Sequence, residues 1–175
     1  SDDPHSLPSN YINHLTEDSL GNLWIATPKG LALYDAEQDR FNTIISQAIY
    51  SSIKVKGGIW FGSENTIYCY DYHSKKQRSF TLKKQEKKKN INMVDYRIQK
   101  MVYLDKNKIL VGTRRKGIYS YNCQTQQFSL FIPSSPNLLT SLYITLDQHI
   151  YTSFYGSGLY CYDQTGKIQE HYTQT

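Results

Sequence analysis

The sequence predicts an all-β chain built from four copies of one unit, each a small four-stranded antiparallel sheet. Three observations carry that reading. First, a phrase recurs four times: Asn22-Leu-Trp-Ile-Ala-Thr with Gly30-Leu-Ala-Leu-Tyr-Asp35, Gly58-Ile-Trp-Phe-Gly-Ser with Thr66-Ile-Tyr-Cys-Tyr-Asp71, Lys108-Ile-Leu-Val-Gly-Thr with Gly117-Ile-Tyr-Ser-Tyr-Asn122, and His149-Ile-Tyr-Thr-Ser-Phe with Gly158-Leu-Tyr-Cys-Tyr-Asp163. The matched residues Trp24, Trp60, Leu110 and Tyr151 stand 36, 50 and 41 residues apart, while the step from each to Tyr34, Tyr70, Tyr121 or Tyr162 is 10, 10, 11 and 11. A constant interior with a variable spacer marks a repeated structural unit whose insertions fall in loops. Second, no segment keeps a 3.6-residue apolar period, so helix should be scarce. Third, tyrosine supplies 16 of the 175 residues, which favours pleated, half-buried surfaces.

Each unit holds four short runs of strand character, here A to D. In the first copy they are about 11–16, 23–27, 31–35 and 40–45; in the last, about 142–146, 150–154, 159–163 and 168–172. Turn residues separate them, as in Gly21-Asn22, Pro28-Lys29-Gly30, Gly156-Ser157-Gly158 and Gln164-Thr165-Gly166. Strand C, as in Ile67-Tyr68-Cys69-Tyr70 or Leu159-Tyr160-Cys161-Tyr162, is uncharged on both alternate faces. A strand prepared for burial on both sides belongs to a sheet lying between two similar sheets. Strand B has a small residue at its fourth matched position, Ala26, Gly62, Gly112 or Ser153, where another sheet can approach closely. Small sheets stacked face to face around an axis make a β-propeller.

The whole of 1–175 then reads as a partial β-propeller, with blades at about 11–45, 48–82, 96–132 and 139–173 and a basic insertion at 83–95. Trp24, Trp60, Leu110 and Tyr151 are expected at equivalent buried positions. His5–Ile12 reads like the interblade stretch Pro136–Tyr143, so the chain is expected to open on a connection that follows an earlier blade. Apolar end faces are expected around Leu31 and Leu33 in the first blade and around Tyr160 and Tyr162 in the last, and these should drive association.

The run Asp18-Ser-Leu-Gly-Asn-Leu-Trp-Ile-Ala-Thr-Pro-Lys-Gly-Leu-Ala-Leu-Tyr-Asp35 resembles the two-component-regulator propeller repeat of the sensor regions of Bacteroidetes-type hybrid two-component systems. The family pattern is an Asp, a Gly-Asn turn, Leu-Trp-Ile-Gly-Thr, then Gly-Leu and Tyr-Asp. Ala26 replaces the usual Gly in the first copy, Thr66 replaces the second Gly in the second, and Leu110 and Tyr151 replace the Trp in the third and fourth. The resemblance implies a fragment of an extracytoplasmic ligand-sensing propeller, on the periplasmic side of the inner membrane. It also implies an oligosaccharide ligand, the remaining blades of a parent sensor and a homodimer as partners. A histidine kinase and transcriptional control would follow in the full-length protein. The alternative is a structural or protein-interaction propeller segment with no ligand site of its own. No 18-residue apolar stretch and no signal-peptide pattern are present.

Enzyme chemistry finds little support. The five histidines have no metal-ligand spacing, and there is no phosphate loop, nucleophile motif or H-E-x-x-H. No catalytic residue, metal or cofactor is therefore expected. Asp18, Asp105 and Asp147 close the first strand of their blades and are read as turn caps rather than acids converging on one bond. Cys69 and Cys161 share a repeat position and read as small core fillers, while Cys123 belongs in a turn. The run Lys83-Lys84-Gln-Glu-Lys87-Lys88-Lys89 supplies much of the +5 net charge. It is bunched and lacks interleaved aromatics, which argues against nucleic acid and for a solvated, mobile insertion. In an up-and-down blade the B-to-C and D-to-A connections emerge on one side. That set is the longer and more varied one, the mark of a recognition face. Arg114, Arg115, Tyr155, Lys29 and Asn65 are the candidate ligand contacts: cations and an amide for hydroxyls or carboxylates, and a ring to stack on a sugar.

Overall fold

A computed structural model describes residues 3–82 and 93–174. Most of the basic insertion, residues 83–92, lies outside the described residues. The described chain holds sixteen strands and one 3-10 turn, Met93–Tyr96. The strands form four separate four-stranded antiparallel sheets in simple meander order. This is the all-β blade architecture read from the sequence. The chain divides into two compact units, one up to residue 84 and one from residue 85 on.

The first unit contains two blades. Blade 1 is β1 (His14–Glu17), β2 (Leu23–Thr27), β3 (Gly30–Asp35) and β4 (Arg40–Ile45). Blade 2 is β5 (Ser51–Val55), β6 (Gly58–Gly62), β7 (Thr66–Asp71) and β8 (Gln77–Thr81). Trp24, Ala26, Leu31 and Ile45 of blade 1 pack against Ile59 and Phe61 of blade 2, with Leu33, Tyr68, Tyr70 and Tyr72 half-buried around them. Trp24 is 1% exposed, lies 5.7 Å from the Tyr70 ring and stacks at 6.2 Å on Tyr72. Burying such a ring contributes roughly 2–3 kcal/mol. The first strands of the two blades are also joined, through Thr16 Oγ1 and Ser52 Oγ at 2.6 Å and His14 Nδ1 and Ser52 Oγ at 3.0 Å.

The second unit repeats the design. Blade 3 is β9 (Ile98–Asp105), β10 (Lys108–Thr113), β11 (Ile118–Asn122) and β12 (Gln127–Ile132). Blade 4 is β13 (Leu139–Ile144), β14 (Ile150–Phe154), β15 (Leu159–Tyr162) and β16 (Ile168–Tyr172). Leu110, Ile118 and Ile132 of blade 3 pack with Leu139, Leu142, Ile150, Phe154 and Tyr162 of blade 4. Within each unit, then, the Trp24-type face of one blade meets the Ile25-type face of the next. The small residue on strand B has its predicted purpose here. A Cβ at Gly112 would run into Leu139 Cδ2, the side chain that blade 4 lays against this point. The glycine that opens strand C serves a different approach, since a Cβ at Gly30 or Gly117 would strike the carbonyl oxygen of Ile45 or Ile132 at the end of strand D.

Three expectations are corrected. Leu31 and Leu33 are not an end face, because they pack against blade 2, and Tyr160 and Tyr162 belong to the seam between blades 3 and 4. Alternation along a strand defines two faces but does not say which of them meets the following blade. Tyr151 is half-buried rather than buried, whereas Trp24, Trp60 and Leu110 are 1%, 8% and 0% exposed. Asp147 does not share the place of Asp18. The side chain that closes the blade 4 turn is Thr145, whose Oγ1 donates to His149 O and accepts from His149 N.

Candidate functional site

The loops that could meet a ligand are fixed by short-range chemistry. In blade 1, Thr27 Oγ1 donates to Gly30 O and accepts from the amides of Lys29 and Gly30, closing the B-to-C connection and presenting Lys29 outward. Thr113 does the same in blade 3, donating to Gly117 O at 2.7 Å and accepting from Lys116 N. These threonines end the recurring phrase, so its last letter builds the rim loop.

In the second unit the structure brings two of the expected residues together. Leu139 N donates to Arg114 O, and Tyr155 N donates to Leu138 O. The peptide segment Leu138–Leu139 thus ties the Arg114 loop to the Tyr155 loop. The Tyr155 side chain is 74% exposed, as a stacking ring requires. Arg115 is differently placed. Its guanidinium lies 3.7 Å from Asp95, and Lys116 Nζ lies 3.7 Å from the same carboxylate. That carboxylate, half-buried between two cations, partly neutralises them. Arg114 is half-buried and makes no ion pair among the described residues.

In the first unit Lys29 lies in a polar cavity of about 670 Å³, lined also by Asp3, His5, Asn10, Tyr11 and Asp39. One wall is the segment before β1, held to the outer strand by the hydrogen bond from Phe41 N to His5 O. Tyr11 is 79% exposed, and its amide is held by Ser9 Oγ. Asp39 accepts from Tyr34 OH at 2.8 Å, a bond that, with the neighbouring charge, pushes the Tyr34 phenol up. Sequence reasoning found Lys29 and missed Tyr11, Asn10 and His5, because they precede the first repeat phrase and read as an interblade connection rather than as a rim loop. Asn65 sits on the blade 2 loop with its carbonyl accepting from Leu82 N and its side-chain oxygen accepting from Thr66 Oγ1. It belongs to the same unit as Lys29 but does not line that cavity.

A second cavity, about 490 Å³, lies within the second unit beside the blade 3–blade 4 seam. Phe154, Tyr160, Tyr162 and Pro133 make it largely apolar, with Lys167 and Ser134 as polar groups. Among the described residues no group of His, Cys, Asp and Glu could hold a metal ion. No described helix is long and apolar enough to cross a membrane.

Residues 6–29 match the two component regulator propeller. The match runs from the Lys29 cavity wall through Asp18 and Trp24 to Lys29 itself. Solved structures repeat the likeness over nearly the whole chain. The extracellular domain described as that of a hybrid two component system from B. thetaiotaomicron is 18% identical, with a TM-score of 0.73 over 99% of this chain and 23% of that one. A second such domain from the same organism is 22% identical, with a TM-score of 0.70 over 99% of this chain and 24% of that one. Virginiamycin B lyase from Staphylococcus aureus is 16% identical, with a TM-score of 0.74 over 97% of this chain and 58% of that one. The chain spans about a quarter of the length of the two extracellular domains. At these identities the likeness shows the fold, that of a propeller segment. A lyase among the neighbours shows that the fold by itself does not choose between sensing and catalysis. No curated protein sequence matches the chain.

Proposed function

We propose that this propeller segment belongs to the extracytoplasmic ligand-sensing region of a hybrid two-component sensor and contributes contacts to an oligosaccharide. The observation that carries the reading is the pairing of Lys29 with Tyr11 in one polar cavity of about 670 Å³. A cation, an amide, carboxylates and an exposed ring are the groups that bind sugar hydroxyls and an apolar sugar face. The size falls within the range of about 300–1,000 Å³ typical of ligand sites. Arg114 and Tyr155 offer the same pair of chemistries in the second unit. The resemblance of the first repeat to the regulator propeller supports the rest of the proposal: a periplasmic location, a signalling homodimer, and a histidine kinase that carries the signal to transcription in the full-length protein.

The segment acts here as a binding module rather than an enzyme. Asp18 is occupied by a turn and an indole, and Asp105 and Asp147 are exposed turn residues of two different blades. Each of these two is engaged within its own turn: Asp105 accepts from Asn107 N, and Asp147 lies 3.0 Å from His149 Nδ1. Isothermal titration of the full sensor region with a glycan selected on an array tests the proposal. Lys29→Ala and Arg114→Ala should each weaken binding severalfold. Such surface changes typically alter folding stability by no more than about 0.5 kcal/mol. Unchanged affinity in both variants would remove the ligand from this segment and leave the structural role.

A further inference from the structure

Charge is divided unevenly between the two ends of the second unit. Each blade is an antiparallel meander, so its A-to-B and C-to-D turns leave at one end and its B-to-C and D-to-A connections at the other. Among the described carboxylates of this unit, Asp105, Asp147 and Asp163 stand at turns of the first kind, and Glu170 is on β16. Only Asp95 is at the other end, where Arg97, Arg114, Arg115 and Lys116 surround it in sequence and space. Backbone bonds hold these segments side by side. Arg114 N donates to Arg97 O at 2.8 Å, and Arg115 N donates to Asp95 O at 3.0 Å. Lys116 N is bound in turn by Thr113 Oγ1. The Asp95 carboxylate reaches Arg115 and Lys116 at 3.7 Å each, beyond the range of about 2.7–3.2 Å for an N–H···O hydrogen bond. One negative charge does not balance two positive ones, and their N–H groups are left for another acceptor. The Arg115 and Lys116 side chains are 45% and 41% exposed, within reach of a ligand.

From this geometry we infer that the Arg115–Lys116 end of blade 3 takes an anionic group, a sulfate ester or a carboxylate, carried on a sugar. The inference rests on the glycan-sensing reading above and narrows it to acidic glycans. Arg115 and Lys116 are the contacting cations. Arg97 and Arg114, half-buried in the adjoining segments, add to the positive potential there. The Arg115 guanidinium offers paired donors that fit two oxygens of one carboxylate or sulfate, and Lys116 adds a point charge. Asp95 has two opposed effects. It holds both cations together before the ligand arrives, so less ordering is needed on binding, and its own charge repels the anion. The exposed ring of Tyr155 is on the same rim, tied through Leu138–Leu139 to the Arg114 backbone. There it is available to stack on the sugar that bears the charge.

Isothermal titration of the full sensor region tests it with heparin hexasaccharide as the sulfated probe, hexagalacturonate as the carboxylate probe and maltohexaose as the neutral one. At least one acidic probe should bind. Raising NaCl from about 50 to about 300 mM should weaken that binding severalfold, because salt screens exposed charges. Arg115→Gln and Lys116→Gln should each weaken it severalfold, while Asp95→Asn should tighten it. The two cations are exposed, so circular dichroism should be unchanged, and a gain in Asp95→Asn is a readout that loss of structure does not produce. A preference for heparin or for galacturonate assigns the anion as sulfate or carboxylate. Binding of maltohexaose alone would overturn the inference and leave the glycan-sensing reading standing. Acidic binding that keeps its affinity in both cation variants would overturn it too, because the charge would then be read elsewhere. Silence with every probe also overturns it, and the array-selected glycan of the preceding test then decides the sensing reading separately.

Discussion

The indole Nε1 of Trp24 donates a hydrogen bond to Asp18 Oδ2 at 2.7 Å, inside a site where both residues are buried. The same carboxylate accepts from Leu20 N at 2.8 Å, Asn22 N at 3.0 Å and Asn22 Nδ2 at 2.9 Å. One side chain therefore shapes the A-to-B turn and satisfies the only polar atom of the largest core ring. Asp18→Ala leaves a buried N–H without its partner, which costs about 1–3 kcal/mol, and removes the turn cap as well. Urea denaturation should show a loss at the upper end of that range or beyond. A loss below half a kilocalorie would mean that water replaces the carboxylate easily.

The pH dependence of that bond has a defined sign. Burial pushes the Asp18 carboxyl up, but hydrogen bonds from Trp24, Asn22 and Leu20 outweigh it and hold the group below its ordinary value of 3.8. A carboxyl depressed in the folded state adds stability above its unfolded value, and that stability disappears as pH falls through the folded one. The Tm difference between wild type and Asp18→Asn should therefore be full at neutral pH and should narrow below about pH 4. A constant difference across the acid range would contradict the account.

Gly112 tests the seam between blades 3 and 4. Gly112→Ala drives a methyl group into Leu139 Cδ2, and overpacking of this kind costs about 1–3 kcal/mol. In a Leu139→Ala background the same change should cost much less, since the colliding group is gone. A double-mutant cycle without coupling would show that the two side chains do not meet.

The thiols should divide by position. Cys69 and Cys161 are 7% and 3% exposed, while Cys123 is half-buried in the turn after β11. Burial pushes the Cys69 thiol up against the opposing pull of Arg78, which lowers its reactivity further. Thiol titration of the native protein should detect Cys123 first, and the other two only on unfolding. Rapid labelling of Cys69 would show that blade 2 opens.

What was legible in the sequence is what repeats. Trp24, Gly112, Thr27 and Thr113 recur at fixed register because each does the same thing in its blade, so blade count, strand order and the purpose of the small residue could be read. The choice of covered face could not. Leu31 and Tyr160 lie on opposite faces of their sheets, and alternation alone does not say which face receives the next blade. Asp147 was aligned by residue type with Asp18, although the turn of blade 4 places Thr145 there and a threonine hydroxyl closes it. The Lys29 cavity was half legible. Its lysine lies on a repeat loop, but Tyr11 and Asn10 belong to a segment whose position depends on a tertiary bond, Phe41 N to His5 O.

Ligand binding by the rim is the most direct test of the proposed function. Calorimetry of the full sensor region with an array-selected oligosaccharide should give saturable binding. Replacing Tyr11 or Tyr155 with Ala should weaken it by about tenfold, equivalent to about 1.4 kcal/mol, with Tm held within a few degrees. Absence of binding to any glycan, or wild-type affinity in both tyrosine variants, would contradict the account and leave a propeller that only assembles.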